Sequence, residues 1–383
     1  MQQFGTPGLA QDRIVRKEVS LGFIREIERP KNHIGLAQIA PFLDVPTDEV
    51  IFNYIPQLTT GLTPARAEDA AAELAQKDTF DVGQGRASVI DWAEKDHYSA
   101  SDVNRYREYQ AIIAAMNAGN LPLTAKSALE DFASKIARDD TLRRTKLDNR
   151  LEWLIMTALS AGIISYNDGK IKFSVDYGRP VGQQAQAPTS GTYASTTHDP
   201  INDIIAVDEY MYNLYGVHIK KAVVSRKFLL RAAASAKFGL RAGYVPNGAG
   251  GSVGVDPRYL IDGYGPQYAI DLLSNQTGVE FITYDSIYAT RPIGSTTVTN
   301  NRFTPENRVI FMPDDAEISQ FDDTGIGFAK TLTAPHPEGN WASGYYEWEK
   351  ERRDPWGQDR GSGIKAFPVF LHLDKTFTWD VTL

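Results

Sequence analysis

Cysteine is missing altogether from this 383-residue chain. That absence excludes a disulfide framework, cysteine-ligated zinc, iron–sulfur clusters and any thiol nucleophile. Histidine is scarce: the six are His33, His97, His198, His218, His336 and His372, and no pair has the HxxH or HExxH spacing of a zinc site. Neither a G-x-x-x-x-G-K-[ST] phosphate loop nor a G-x-G-x-x-G turn occurs. Long apolar runs are missing as well. The longest apolar-leaning stretch, Trp153 to Ile164, is broken by Thr157, Ser160 and Gly162, and falls short of the roughly 18 residues that a membrane span requires. The opening MQQFGTPGLAQDRIVRKE has no basic start followed by an apolar block, so secretion is not expected. Positive charge is in deficit: 40 Lys and Arg against 48 Asp and Glu give a net charge of −8, which argues against tight, nonspecific binding of nucleic acid.

What is present is the composition of a folded protein, 42% hydrophobic and 23% charged. The length exceeds the roughly 250–300 residues at which one core stops growing, so at least two packing units are expected. Met1 to about Val45 is interrupted by Pro7, Pro30 and Pro41, with Pro46 just beyond, and proline breaks helix interiors. Apart from a short helix around Ile14 to Ile27, this stretch reads as an arm lying on something else. Glu49 to Ile55 is a β-branched and aromatic run that suits a strand, and Pro64 to Gln76 is alanine-rich and helical in propensity. A second strand is expected over Arg86 to Trp92, beyond the Gly83-Gln84-Gly85 punctuation. Two strands about thirty residues apart, with little apolar content between them, predict a long projecting hairpin.

The strongest helical signal runs from Thr124, a plausible N-cap, to Ser160. Leu129, Phe132 and Ile136 begin an apolar stripe that Leu147, Leu151, Leu154, Ile155, Ala158 and Leu159 continue at spacings of three and four. Gly162 is a natural stop, and the helix would be roughly 55 Å long. Between the two parts of the stripe sits the charged stretch Arg138 to Arg144, so one side of the helix is expected to face water. Ile163 to Tyr177 reads as a hairpin about Asn167-Asp168-Gly169. Gly178 to Thr197 reads as a linker and marks a domain boundary. Beyond it Asp199 caps a helix with Ile201, Ile204, Ile205, Asp208, Met211, Tyr212 and Tyr215 on one face. A strand over His218–Val224, a helix over Arg226–Ala236, and strands over Val279–Tyr284 and Arg308–Met312 complete an α+β unit. After a polar stretch holding Asp354-Pro355 and three glycines, Ile364 to Leu383 alternates as a long strand, expected to pair with the Ile163–Val175 hairpin.

Site chemistry is sparse. Gly250-Gly251-Ser252-Val253-Gly254 matches the G-x-S-x-G nucleophile elbow, but Val245 to Ala249 before it are loop formers and not a buried strand. The later histidines are His336, between two prolines, and His372, inside the final strand pattern, so a flexible glycine loop is the better reading. The acidic pairs Asp139-Asp140, Asp314-Asp315 and Asp322-Asp323 read as solvated surface or turns, because neighbouring positions on a helix or strand point apart. Asn275-Gln276-Thr277 fits the glycosylation sequon and reads as loop. Arg143, Arg144 and Lys146 suit either phosphate contact or pairing on the helix surface with Asp139, Asp140, Asp148 and Glu152. An arm, a projecting hairpin, one very long helix and glycine-rich loops gain their burial from neighbours, so the pattern suggests an assembly protein.

Several short motifs, in order, carry a resemblance. They are Val50-Ile51-Phe52; the helix ending Leu154-Ile155-Met156-Thr157-Ala158-Leu159-Ser160-Ala161-Gly162; Asp168-Gly169-Lys170 leading into Val175-Asp176-Tyr177-Gly178-Arg179; and His198-Asp199-Pro200-Ile201-Asn202-Asp203-Ile204. Further on come Gly216-Val217, Tyr284, Phe303-Thr304-Pro305-Glu306-Asn307-Arg308-Val309, Gly325-Ile326-Gly327 and Asp354-Pro355. In this order the chain, over most of Val45 to Leu383, resembles the lambda-type major capsid protein E of tailed phages.

The resemblance implies an α+β, Hong Kong 97-type capsid fold. In its terms 1–45 is the N-terminal arm, 46–98 the extended loop, 99–197 the peripheral domain with its spine helix over 124–162, 198–345 the axial domain, and 346–383 a return to the peripheral domain ending in the C-terminal strand. It implies a structural protein and not an enzyme: the major capsid protein of a double-stranded DNA phage, self-assembling into hexamers and pentamers of an icosahedral head, with T=7 typical of the family. The partners implied are further copies of the chain, a decoration or cement protein, a scaffold, a portal, and packaged DNA held weakly and without sequence preference; no membrane, cofactor, metal or catalytic residue is implied. The location implied is the virion, after assembly in the host cytoplasm. An encapsulin-like nanocompartment shell is the structural alternative, and a serine hydrolase using Ser252 the alternative from another class.

Overall fold

The computed structural model describes residues 24–27, 30, 32–54, 83–102, 105, 108, 124–169, 171–195, 197–235, 237, 258–291, 296–318, 326–354 and 356–383. A π-helical turn over Gly35–Ile39 leads into β1 (Phe42–Asp44). Strands β2 (Glu49–Tyr54) and β3 (Gly83–Ser88) pair antiparallel, and β4 (Asp91–Ser99) follows. Helix α1 spans Thr124–Ala161, 38 residues, or about 57 Å at about 1.5 Å per residue. It stops at Gly162, whose φ of +74° favours glycine. The hairpin of β5 (Ile163–Asn167) and β6 (Lys172–Asp176) comes next. The following unit holds α2 (Pro200–Tyr215), β7 (Ile219–Val224), α3 (Arg226–Ala233), α4 (Arg258–Thr277), β8 (Glu280–Thr283), β9 (Ile287–Thr290), β10 (Thr299–Arg302) and β11 (Arg308–Pro313). The chain closes with β12 (Ala329–Thr333), β13 (Tyr345–Arg353), β14 (Trp356–Phe370) and β15 (Phe377–Asp380).

Strand β14 organises the larger sheet. Its first two thirds lie between β13 and β4, with Ile364 opposite both Tyr345 and Trp92, and its last five residues pair with β12. The short β1 adds in parallel to β12. The second sheet has the order β15-β11-β7-β8. Helix α1 packs Leu147, Leu151, Leu154 and Ile155 into one core with Ile364, Phe367 and Phe370 of β14. A second core gathers Ile201, Ile204, Val207 and Met211 of α2 with Phe228, Phe311 and Trp379. Asp199 caps α2 as expected, accepting from Asn202 N, with Pro200 in the first turn.

Several expectations are corrected. Gly83 and Gly85 lie inside β3, opposite Tyr54 and Phe52, and the expected strand 86–92 divides at Val89-Ile90 into β3 and β4. The final strand starts earlier, at Trp356, ends at Phe370, and pairs with β4, β12 and β13 instead of the β5–β6 hairpin. That hairpin meets β14 through rings, Phe173 on Phe367 at 5.8 Å and Tyr177 on Phe370 at 5.3 Å, and through Tyr177 Oη donating to Pro368 O at 2.8 Å. The glycines before Ile364 are strand residues because aromatic rings cross the backbone there. A Cβ at Gly361 would overlap the Trp348 ring, and one at Gly363 would come within 2.5 Å of Tyr346 Oη.

The described part of the arm, 24–45, finds its core on its own chain, since Ile24, Leu36 and Ala40 are buried against α1. Gly178 to Thr197 is a packed connector and not a free linker: Tyr193 is buried, stacked on Phe228, and Gln186 N bonds to Thr378 O. The buried face of α2 is narrower than expected, for Ile205 and Tyr212 are exposed. Helix α4 escaped the sequence because Gly263, Gly265 and Pro266 interrupt its pattern; the sequon Asn275-Gln276-Thr277 forms its last turn. Most of the expected helix Ile14–Ile27 and all of Pro64–Gln76 lie outside the described residues. We predict that Gly361→Ala, by displacing Trp348, lowers unfolding stability by about 1–3 kcal/mol. Chemical denaturation measures it, and an unchanged midpoint would contradict this packing.

Candidate assembly framework

The functional elements of an assembly protein are what holds its framework and what it offers to neighbours. In this chain the framework is ionic. One side of Arg138 to Arg144 was expected to face water, and Arg138, Thr141 and Leu142 are exposed; the other side buries charge, for Asp140, Arg143 and Arg144 are buried, as are Asp148 and Glu152 further along α1. The reason is geometric. Asp140, Arg144, Asp148 and Glu152 form an i+4 row alongside Arg143, Leu147, Leu151 and Ile155, so charged and apolar rows share the face that α1 turns to the sheet.

Arg143, only 1% exposed, reaches three strands. Its Nε donates to Ser362 Oγ of β14 at 3.1 Å, Nη1 pairs with Asp96 of β4, and Nη2 pairs with Asp140 and lies 3.6 Å from Glu347 of β13. Arg360 of β14 joins them, 2.9 Å from Glu347 and 3.5 Å from Asp140. Burial pulls the Arg143 pKa down, but Asp140 and Asp96 more than offset it, leaving it above its ordinary value. Tyr98 Oη donates to Asp139 at 3.2 Å, and burial together with that carboxylate raises the phenol pKa. Of the acidic pair, Asp140 is therefore buried and structural, while Asp139 is half-buried and holds Tyr98.

Next along the helix, Arg144 Nε pairs with Asp148 at 3.1 Å, Nη1 donates to Ile24 O at 2.8 Å, and the guanidinium lies 3.3 Å over the Tyr345 ring. Two turns further on, Glu152 accepts from Gly35 N at 2.9 Å, Leu36 N at 3.0 Å and Tyr284 Oη at 2.8 Å. Burial raises its pKa, and the three donors hold the carboxylate against that effect. At the end of α1, Arg179 Nη2 donates to Leu159 O at 2.8 Å and Nε to Thr376 Oγ1 at 2.9 Å. Burial, with Arg308 nearby, lowers the Arg179 pKa to about 9.

The opposite face of the sheet carries a second group. Asp359 lies 2.8 Å from Lys95, 2.7 Å from His97 and 3.0 Å from Arg352. Burial alone would raise its pKa, but Lys95 and His97 outweigh burial and lower it to about 2. Where β2 and β3 leave the sheet, Val45 and Val89 are buried with Leu332, Val369 and Leu371, and Lys365 pairs with Asp48.

The remaining candidates separate. Ser252 and the pair Asp322-Asp323 lie outside the described residues. Asp314 pairs with Lys221 at 2.8 Å. His198 and His372 are buried, and His336 stacks on Tyr346. Among the described residues no group of three or more His, Asp or Glu could hold a metal ion, and no helix is long and apolar enough to cross a membrane.

Two outcomes follow from the pairing. Arg143→Met takes one of the two guanidinium groups from the buried carboxylates Asp140 and Glu347 and leaves Arg360 to face both, so a loss of about 3–5 kcal/mol is expected in urea unfolding; a neutral substitution would refute the network. Asp359 has a folded pKa below its ordinary 3.8, so its stabilising contribution is complete above that value and is lost as pH falls from 3.8 towards about 2. Asp359→Asn is expected to flatten the acid limb of stability against pH in that window, and an unchanged limb would contradict the assignment.

Comparison with known proteins places this framework. No curated protein sequence matches the chain. A prophage protein of E. coli CFT073 described as its capsid protein superposes with a TM-score of 0.57 over 96% of this chain and 99% of its own, at 12% identity, which shows a shared fold. A phage-related protein of Bordetella bronchiseptica RB50 (TM-score 0.48, 12% identity, 96% and 97% covered) and the SrpI encapsulin of Synechococcus elongatus PCC 7942 (0.40, 9%, 90% and 86%) are more distant and carry no argument. A family model described as phage major capsid protein E matches residues 23–321, well over half of the 383-residue chain, and the chain therefore belongs to that family of phage capsid proteins, with its Hong Kong 97-type fold.

Proposed function

We propose that this major capsid protein assembles into the hexamers and pentamers of an icosahedral phage head enclosing double-stranded DNA, with residues 46–98 serving as an extended loop that lies over a neighbouring copy. The observation that carries this reading is the isolation of β2 and β3. Among the described residues no third strand extends their sheet, and two-stranded sheets are marginal in water. The root of the pair is held by Val45, Val50 and Val89; in this reading the rest of the loop gains its burial from a neighbouring copy. In the same reading 1–45 is the N-terminal arm, 99–197 with 346–383 the peripheral domain about α1, and 198–345 the axial domain that meets its copies at capsomer centres. A net charge of −8 suits a wall that does not hold its genome fast. A decoration protein, a scaffold and a portal complete the proposed particle, which forms in the host cytoplasm and persists as the virion.

Replacing residues 55–82 with a short Gly-Ser turn tests the loop. The expected product keeps the far-UV circular dichroism and unfolding transition of the parent but forms no shells by electron microscopy, whereas the full chain does. Closed shells from the shortened chain, or a full chain that stays monomeric across salt and concentration, would overturn the proposal.

A further inference from the structure

Of the six tryptophans, Trp341 alone is exposed, at 72%. It sits in the loop from Pro335 to Ser343, outside the residues that the family model matches. The loop is built with more internal support than an idle surface turn needs. A β-bridge between Pro335 and Ser343 closes its base. His336 O accepts from Gly339 N at 2.9 Å and from Trp341 N at 3.1 Å, Pro337 O accepts from Asn340 N at 3.1 Å, and Gly339 O accepts from Ala342 N at 3.2 Å. The His336 ring caps the short turn by accepting from Glu338 N, and it stacks on Tyr346 at 3.9 Å. Tyr346 Oη in turn donates to Asp91, the first residue of β4.

This support holds two consecutive non-glycine residues in the left-handed region, Asn340 at φ +58° and Trp341 at φ +59°. Such conformations cost free energy and persist where the surroundings over-determine them, which is characteristic of binding sites. Here the result is an indole presented to water from a fixed backbone. Tryptophan dominates the energetics of protein interfaces, and presentation on a rigid loop removes the ordering cost of binding. The loop lies on the sheet face opposite α1, with Trp348 and Tyr346. Through Tyr346 and Asp91 it is braced to the start of β4, two residues beyond Val89 at the root of the element proposed to overlie a neighbour.

We propose that Trp341 is an anchor of the contact between neighbouring copies of this chain, its indole entering an apolar pocket of the next subunit. The inference rests on the shell reading above. The test uses the full chain as Trp341→Ala and Trp341→Phe. Sedimentation velocity across a concentration series is expected to show the alanine variant needing at least tenfold more protein for half-assembly, and the phenylalanine variant less. Far-UV circular dichroism and thermal midpoint should stay those of the parent, because the ring packs on little within one subunit. In the difference spectrum between parent and Trp341→Phe, the indole emission should move to shorter wavelength and lose acrylamide quenching on assembly. If the parent assembles and the alanine variant assembles equally well, the anchor is wrong while the shell reading stands. The anchor is equally wrong if the indole remains quenchable in finished shells, as it would if a separate decoration protein were its partner. If the parent never assembles, both fall.

Discussion

Five ionisable side chains on the buried face of one helix set the terms for the rest of this molecule. Asp140, Arg143, Arg144, Asp148 and Glu152 cannot enter a core alone, since an uncompensated buried charge costs several kcal/mol. Each must find its partner at a fixed height along α1, and the partners come from β4, β13, β14 and the 24–45 segment. A helix with only leucines on this face could slide along the sheet by a turn, about 5.4 Å, and still bury its surface. Arg143–Asp140 and Arg144–Asp148 pair within the helix and would travel with it, but a slide would break the bonds that Arg143 makes to three strands and those that Glu152 makes to two backbone N–H groups. The ionic row thus fixes register, while the apolar row beside it supplies most of the favourable burial.

The same economy of placement links the two sheets. After β14 the chain makes a short 3-10 turn and crosses to the second sheet as β15, beside β11. Arg179 bonds both to the end of α1 and to Thr376 in this crossing, so helix end, hairpin exit and C-terminal segment are held by one guanidinium. The two sheets therefore share chain and hydrogen bonds and do not merely abut. A shell subunit that must transmit load between neighbours benefits from such continuity.

How much of this was legible from sequence depends on whether a signal was local. The 38-residue helix, its glycine stop, the β5–β6 hairpin and the Asp199 cap are each specified within a few residues, and each appears where its pattern indicated. The order of short motifs was enough to indicate the family. The pairing of Arg143 and Arg144 with Asp140 and Asp148 was among the readings of the sequence, but on the helix surface; its burial was missed, and the spacing of Asp140, Arg144, Asp148 and Glu152 beside Leu147 and Leu151 was the available signal. The glycines of β14 were misread because their cause, the rings of Tyr346 and Trp348, lies on another strand. Nothing local marks Trp341 as exposed either, since its position follows from a bridge between Pro335 and Ser343 and from a histidine stacked on a strand beyond the loop.

The place of β14 also governs when the subunit becomes a subunit. Its partners on β4 are 262 to 274 residues earlier in the chain, as the bonds from Trp92, Lys95 and His97 record. Contacts this distant form slowly, because loop closure must precede them. On the ribosome β13 and β14 emerge long after α1, so Arg143 waits with Asp96 and Asp140 until Glu347 and Arg360 arrive. Until then the sheet has no centre and the hairpin root has no Val369 or Leu371 to hold it. A nascent chain that lacks β13 and β14 has no central sheet to offer other copies, which keeps such half-made subunits out of the growing shell.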